Sequence, residues 1–308
     1  MSAEKVTRRG LTQGLTLVGA LGLAGVAKAQ GAPPQVTTEN IARGRMTVPV
    51  VIDDQGPFIF VVDSAANASV IASDVAERLG LVSAGAVNMN TLIASERVQT
   101  VRARRLETGV LEVESPRLAL AQRGGLGHID GLLGTDLLAG HRLTMNFRGR
   151  TAIHIGRSRR SRTGFLDIRE PTVKLIGSTS AGKLVLVQAI IGNTPTVAVI
   201  DTGAQVSIVN TAAADRAGLS PATLSDGASR ALVRSPTGSS KEARIMSVPS
   251  LRIGGVSLGR NSVLVGDFHT FDLLGLRDTP AMLLGVDMLG IFQSVAVDFR
   301  RAELVFTI

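Results

Sequence analysis

Apolar residues along most of this chain fall in short extended runs, not in helical stripes. Residues 46–52 and 58–62 are two such runs, parted by Asp53, Asp54, Gln55, Gly56 and Pro57. Residues 184–191 and 196–200 repeat the arrangement on either side of Gly192, Asn193, Thr194 and Pro195. Short runs rich in Val and Ile and bounded by Gly, Pro, Asp and Asn are the signature of strands joined by turns, so each pair predicts a hairpin. After each hairpin a short helix is predicted, with Ser73 capping residues 74–79 and Asn210 or Thr211 capping residues 212–217. Gly80 and Gly218 are the expected stops. A second hairpin is expected in each half, within residues 87–101 and around the turn Ser235-Pro236-Thr237-Gly238. The chain therefore reads as all-β, mainly strands with short helices.

The two halves share more than a pattern. Residues 58–81 read FIFVVDSAANASVIASDVAERLGL, and residues 196–219 read TVAVIDTGAQVSIVNTAAADRAGL. Asp63 and Asp201 each end an apolar strand, at an offset of 138 residues that continues without a gap through Leu81 and Leu219. DGLLGTDLL at 130–138 recurs as AMLLGVDML at 281–289. Met145-Asn146-Phe147-Arg148 then answers Val297-Asp298-Phe299-Arg300, so each unit is expected to close on that apolar strand. A period of about 140 to 150 residues is too long for a solenoid and fits one domain per copy. The expected limits are an export signal at 1–29, a linker at 30–35, lobes at 36–156 and 171–308, and a basic connector at 157–170.

Composition narrows the function classes. With 308 residues, 44% of them apolar, the chain can bury a core in each of two small domains. The absence of cysteine excludes disulfides and thiolate chemistry. Thr7-Arg8-Arg9-Gly10-Leu11, a Gly-rich apolar run at 15–26 and Ala27-Lys28-Ala29 resemble a twin-arginine leader, which predicts a periplasmic address. That run is shorter than the roughly 20 residues of a membrane span, and no span is expected once the leader is removed. Its loss deletes four cations and one anion, taking the net charge from +8 to about +5. Arg157-Ser158-Arg159-Arg160-Ser161-Arg162 reads as a solvated connector. With no Trp, no Tyr and nine Phe, the chain poorly supplies a base-stacking platform, and no nucleic-acid partner is expected. His128, His141, His154 and His269 are scattered without ligand spacing, so neither metal nor cofactor is expected.

Asp201-Thr202-Gly203-Ala204, entered from Val197-Ala198-Val199-Ile200, resembles the active-site signature of aspartic peptidases, especially the retropepsin-like group. Leu283-Leu284-Gly285 is similar to the element that completes the loop behind the aspartate in that family. Both elements occur in order in both halves, so the resemblance covers nearly the whole mature chain. It implies two pseudo-symmetric acid-protease lobes in one monomeric chain, with Asp63 and Asp201 as catalytic residues acting on a polypeptide substrate. Two carboxylates a few ångströms apart cannot both ionise cheaply, so one proton is shared between them. The ionised member then serves as general base on a water, while the protonated one steadies the oxyanion.

The resemblance further implies that the hydroxyls of Ser64 and Thr202 reach across to the opposite loop and that Gly203 permits close backbone approach. Ala65 stands where a second glycine is the family pattern; it is harmless if the loop suits an L-residue and strained if φ is positive. Pepsin-like members carry a tyrosine on the first flap, and this chain has none. Thr91, Leu92 and Ile93, or residues 233–238, are the candidates for clamping substrate instead. Asp136 and Asp287 recur with the repeat and are expected to cap the helices that start beside them. Ser69 and Ser207 also correspond, without a matched histidine to activate them. The implied activity is an aspartic endopeptidase. The alternative, prompted by Ala65, is a peptidase-like cleft that binds extended peptides without cutting them.

Overall fold

The computed structural model describes residues 46–147, 152–158, 172–180, 184–224 and 227–308. The expected leader, the linker and all but the start of the basic run lie outside the described residues. No helix among the described residues is long and apolar enough to cross a membrane.

The first lobe contains β1 (Thr47–Ile52), β2 (Gln55–Val62), β3 (Val70–Ala72), β4 (Val82–Asn90), β5 (Ser95–Arg102), β6 (Arg105–Thr108), β7 (Leu111–Glu114), β8 (Arg117–Ala121) and β9 (Gly131–Leu133). They form one sheet in the order β4-β5-β8-β3-β9-β2-β1-β6-β7. Three strands, β10 (His141–Asn146), β11 (Ala152–Arg157) and β12 (Thr172–Ile176), then lead to the second lobe. That lobe contains β13 (Ser178–Ser180), β14 (Leu184–Ile191), β15 (Thr194–Ile200), β16 (Ile208–Val209), β17 (Ser220–Pro221), β18 (Arg230–Arg234), β19 (Ser240–Val248), β20 (Leu251–Ile253), β21 (Val256–Leu258), β22 (Asn261–Val265) and β23 (Ala281–Leu284). Its main path is β17-β19-β22-β16-β23-β15-β14-β20-β21, with β18 paired to β19 and β13 to β14. From β5 and β19 onward the two orders match strand for strand, which gives the two curled lobes their pseudo-symmetry.

A third sheet joins them. Its order is β11-β10-β24-β25-β12, where β24 spans Ser294–Asp298 and β25 spans Glu303–Thr307. Strands β10 and β24 run antiparallel at the seam, with Thr144 opposite Ala296 and Arg142 opposite Asp298. Thr144 and Ala296 occupy the same position in the repeat, so a local two-fold axis passes between them. The strands expected to close each unit are β10 and β24, but each is followed by another strand, β11 or β25. The sequence hides the first of these because residues 148–151, which separate it from β10, include two arginines and a glycine that read as loop.

Both first hairpins turn more tightly than expected. Asp53 and Asp54 form a two-residue turn with φ of 50° and 65°, a twist that matches that of the flanking strands. Gly192 and Asn193 do the same work in the second lobe, where Ile191 faces Thr194. Pro57 and Pro195 therefore lie inside strands. Their missing N–H groups cost little, because the parallel neighbours join only at Phe60 and Val197.

The helix Ser73–Arg78 starts after Ala72 with no side-chain cap, and the Ser73 hydroxyl donates to the Ala121 carbonyl instead. Asn210 does cap the matching helix Thr211–Arg216, accepting from the Ala213 N–H at 2.9 Å. Gly80 and Gly218 end these helices with φ of 62° and 60°, where a residue with a Cβ would be strained. One apolar core, containing Phe60, Val61, Leu133, Leu143, Val297 and Phe306, runs through both lobes and the shared sheet. A smaller cluster around Ile208, Val233, Phe268 and Phe271 lies in the second lobe alone.

Candidate active site

Each aspartate sits where a parallel strand pair ends. Asp63 follows β2, whose Val62 faces Leu133 of β9, and its N–H donates to the Leu133 carbonyl at 2.9 Å. Asp201 follows β15, whose Ile200 faces Leu284 of β23, and its N–H donates to the Leu284 carbonyl at 3.0 Å. The repeated Leu-Leu-Gly elements thus lie directly beside the aspartate strands.

The two aspartate loops face one another and are tied by four hydrogen bonds. The Ser64 N–H donates to Thr202 Oγ1 at 3.0 Å, and the Thr202 N–H donates to Ser64 Oγ at 2.9 Å. The Ser64 hydroxyl donates to the Ile200 carbonyl at 2.7 Å, and that of Thr202 to the Val62 carbonyl at 2.7 Å. Both side chains are fully buried, so every bond of the set is shielded from competing water. Serine fills the first position as well as threonine fills the second, because each hydroxyl supplies one donor and accepts one bond.

Each carboxylate is also held by its own loop. Asp63 Oδ1 accepts from the N–H groups of Ala65 and Ala66 at 3.0 and 2.9 Å, and Asp201 Oδ1 accepts from Gly203 and Ala204 at the same two distances. Ala65 makes the same bond as Gly203, and neither residue has positive φ. The glycine at 203 answers a demand for space. A Cβ built there would lie 2.4 Å from both Cγ and Oδ2 of Asp63. The Cα of Gly203 therefore packs against the carboxyl group of the opposite aspartate.

Behind the loops stands a pair of supports that the sequence reading did not find. Ser69 Oγ donates to Asp136 Oδ1 at 2.7 Å and accepts from the Gly134 N–H at 2.9 Å, while the Ser69 N–H donates to Asp136 Oδ2. Ser207, Asp287 and Gly285 repeat the arrangement with the same side-chain distances. The helices Thr135–Leu138 and Val286–Leu289 begin at glycines without side-chain caps, so Asp136 and Asp287 tie loops together where helix capping was expected of them. Each recurrence was visible in the sequence; the pairing was not, because partners stand 67 and 80 residues apart.

A cleft opens over the two aspartates. Ala65, Gly203 and Ala204 belong to its floor, and Asn90, Thr91 and Leu92 reach it from the β4–β5 hairpin. Val233, Arg234, Ser235 and Pro236 reach it from the β18–β19 hairpin. Both expected flaps are therefore present over the cleft, and each tip docks on the opposite lobe. Leu92 and Ile93 pack against the second lobe's small apolar cluster. Pro236 lies on Gly125, so closely that a Cβ at 125 would fall 1.9 Å from its carbonyl oxygen. Ser239 Oγ donates to Glu96 Oε1 at 2.6 Å and joins the two hairpins.

A family model described as Aspartyl protease matches residues 48–137 and again residues 187–288. No curated protein matches the chain. Among solved structures, a retropepsin-like aspartic protease from Rickettsia conorii is similar at 16% identity, over 44% of this chain and 90% of that one, with a TM-score of 0.30.

Proposed function

Because this chain belongs to the aspartyl protease family, we propose that it is an endopeptidase that cuts polypeptides with a water held between Asp63 and Asp201. One observation carries the reading. The reciprocal Ser64 and Thr202 bonds hold the two aspartate loops face to face from opposite lobes, and Gly203 brings the second loop against the Asp63 carboxyl group.

In the proposed cycle one carboxyl group is ionised and its partner protonated. The ionised group takes a proton from the water as the water oxygen attacks the scissile carbonyl carbon. The protonated group gives its proton to the carbonyl oxygen, so a neutral gem-diol forms with no covalent bond to the enzyme. The partner, now ionised, takes a proton back from a gem-diol hydroxyl while the newly protonated group gives its proton to the amide nitrogen, and the C–N bond breaks. The loop N–H groups on each Oδ1 fix the rotation of both carboxyl groups, which keeps their outer oxygens in position for these transfers.

Exchanging either aspartate for its amide tests the assignment. Asp201→Asn and Asp63→Asn should each lower the cleavage of an unfolded protein substrate at acidic pH by several orders of magnitude, with circular dichroism unchanged. Undiminished turnover in either variant would refute the dyad. An intact peptide held tightly through long incubation across acidic and neutral pH would instead identify a binder. Export to the periplasm is part of the same proposal, supported by the leader-like residues 1–29. Recovery from the periplasm of a protein whose first residue is Gln30 is the expected result.

A further inference from the structure

We propose that Arg234 is a specificity-determining residue that selects substrates presenting a carboxylate beside the scissile bond, an inference that rests on the peptidase reading above. Among the described residues lining the cleft, Asp63, Asp201 and Arg234 are the charged ones. The rest is dominated by small and aliphatic side chains, including Val70 and Leu132 from one lobe and Val206, Ile208 and Leu264 from the other. Such walls exclude water and leave electrostatics weakly screened. The dyad carries about one negative charge in its working state, so a substrate carboxylate entering alone would be repelled. Arg234 brings a compensating positive charge to the cleft wall. It offers a planar fork of donors that matches a carboxylate.

The cation is placed by a built frame. Arg234 ends β18, immediately before the tip that rests on Gly125 and is tied to Glu96 through Ser239. Val233 beside it is anchored in the second lobe's apolar cluster. The corresponding position on the first flap is Asn90, which ends β4, is neutral and has its N–H bonded to Asn67 Oδ1 at 3.2 Å. The cleft is therefore symmetric in backbone and asymmetric in charge, with the positive side on the β18–β19 hairpin. A carboxylate can come from an Asp or Glu side chain or from the terminus of a short product-like peptide, and the same chemistry recognises both.

The test uses one apolar peptide in matched forms, with Glu, Gln or Lys at the position flanking the cut on the Arg234 side, and with a free or amidated C-terminus close to the cut. For the intact enzyme, kcat/KM for the Glu form or for the free terminus should exceed its neutral counterpart by about tenfold, the worth of one charge-assisted hydrogen bond. Whichever arm shows the preference identifies the source of the carboxylate. In Arg234→Met the ratio should fall to about one, and in Arg234→Glu the Lys form should become the favoured substrate. No preference in the intact enzyme, or an unchanged ratio in Arg234→Met, would overturn the proposal. Binding of the same peptides to Asp201→Asn, followed by fluorescence anisotropy, reads the preference without turnover. It separates an error about Arg234 from an error about catalysis.

Discussion

At the scale of single residues, two equivalent positions in the aspartate loops differ by one methyl group and carry different demands. Gly203 has no room for a Cβ, since the carboxyl group of Asp63 occupies the place. Gly203→Ala should push Asp63 or its loop aside and lower kcat on the order of a hundredfold, with a loss of about 1 to 3 kcal/mol in stability. Ala65→Gly is the matching change on the other side and should leave kcat equal to or above that of the parent; steady-state kinetics and thermal melts of the two variants check both outcomes. A Gly203→Ala enzyme with full activity would mean that the aspartates tolerate displacement. The sequence announced the aspartates through their repetition, together with the hydroxyl residues beside them. It could not say whether glycine served torsion or space, because that depends on a carboxyl group 140 residues away.

At the scale of elements, hairpins and glycine stops were legible because they depend on residues close together in the chain. Ser73 misled for a related reason. It has the chemistry of a cap, but the Ala121 carbonyl, delivered by a distant strand, takes its hydroxyl. The shared sheet was invisible in the sequence, since it is closed by pairing the mid-chain strands β10 and β12 with the distant strands β24 and β25. One of its strands carries a titratable tie. Burial pushes the Glu303 carboxyl group of β25 up, yet hydrogen bonds from Lys174 of β12 and from Arg301 outweigh it and hold the group below the usual glutamate range. A carboxyl group depressed in the folded state contributes stability that is complete above its unfolded value, near 4.5, and is lost as pH falls through the folded one. Glu303→Gln should therefore cost on the order of 1 kcal/mol at pH 7 and less at pH 3. Denaturant melts at the two pH values measure the difference, and an equal cost at both would remove the ion pairs as its cause.

At the scale of the whole molecule, the shared sheet and the continuous core make the two lobes one cooperative unit. Calorimetry of the intact protein should show a single unfolding transition whose van't Hoff and calorimetric enthalpies agree, and two resolved transitions would contradict this. The same sheet records a history. Because Thr144 faces its own repeat counterpart Ala296, the seam is a surface meeting a copy of itself, which is how a symmetric homodimer is built. A gene for one lobe could once have encoded such a dimer, in which any mutation altered both sides of the cleft together. Tandem fusion ended that obligation. Glycine could then stand at 203 while alanine stood at 65, and arginine at 234 while asparagine stood at 90, so that each wall evolved alone.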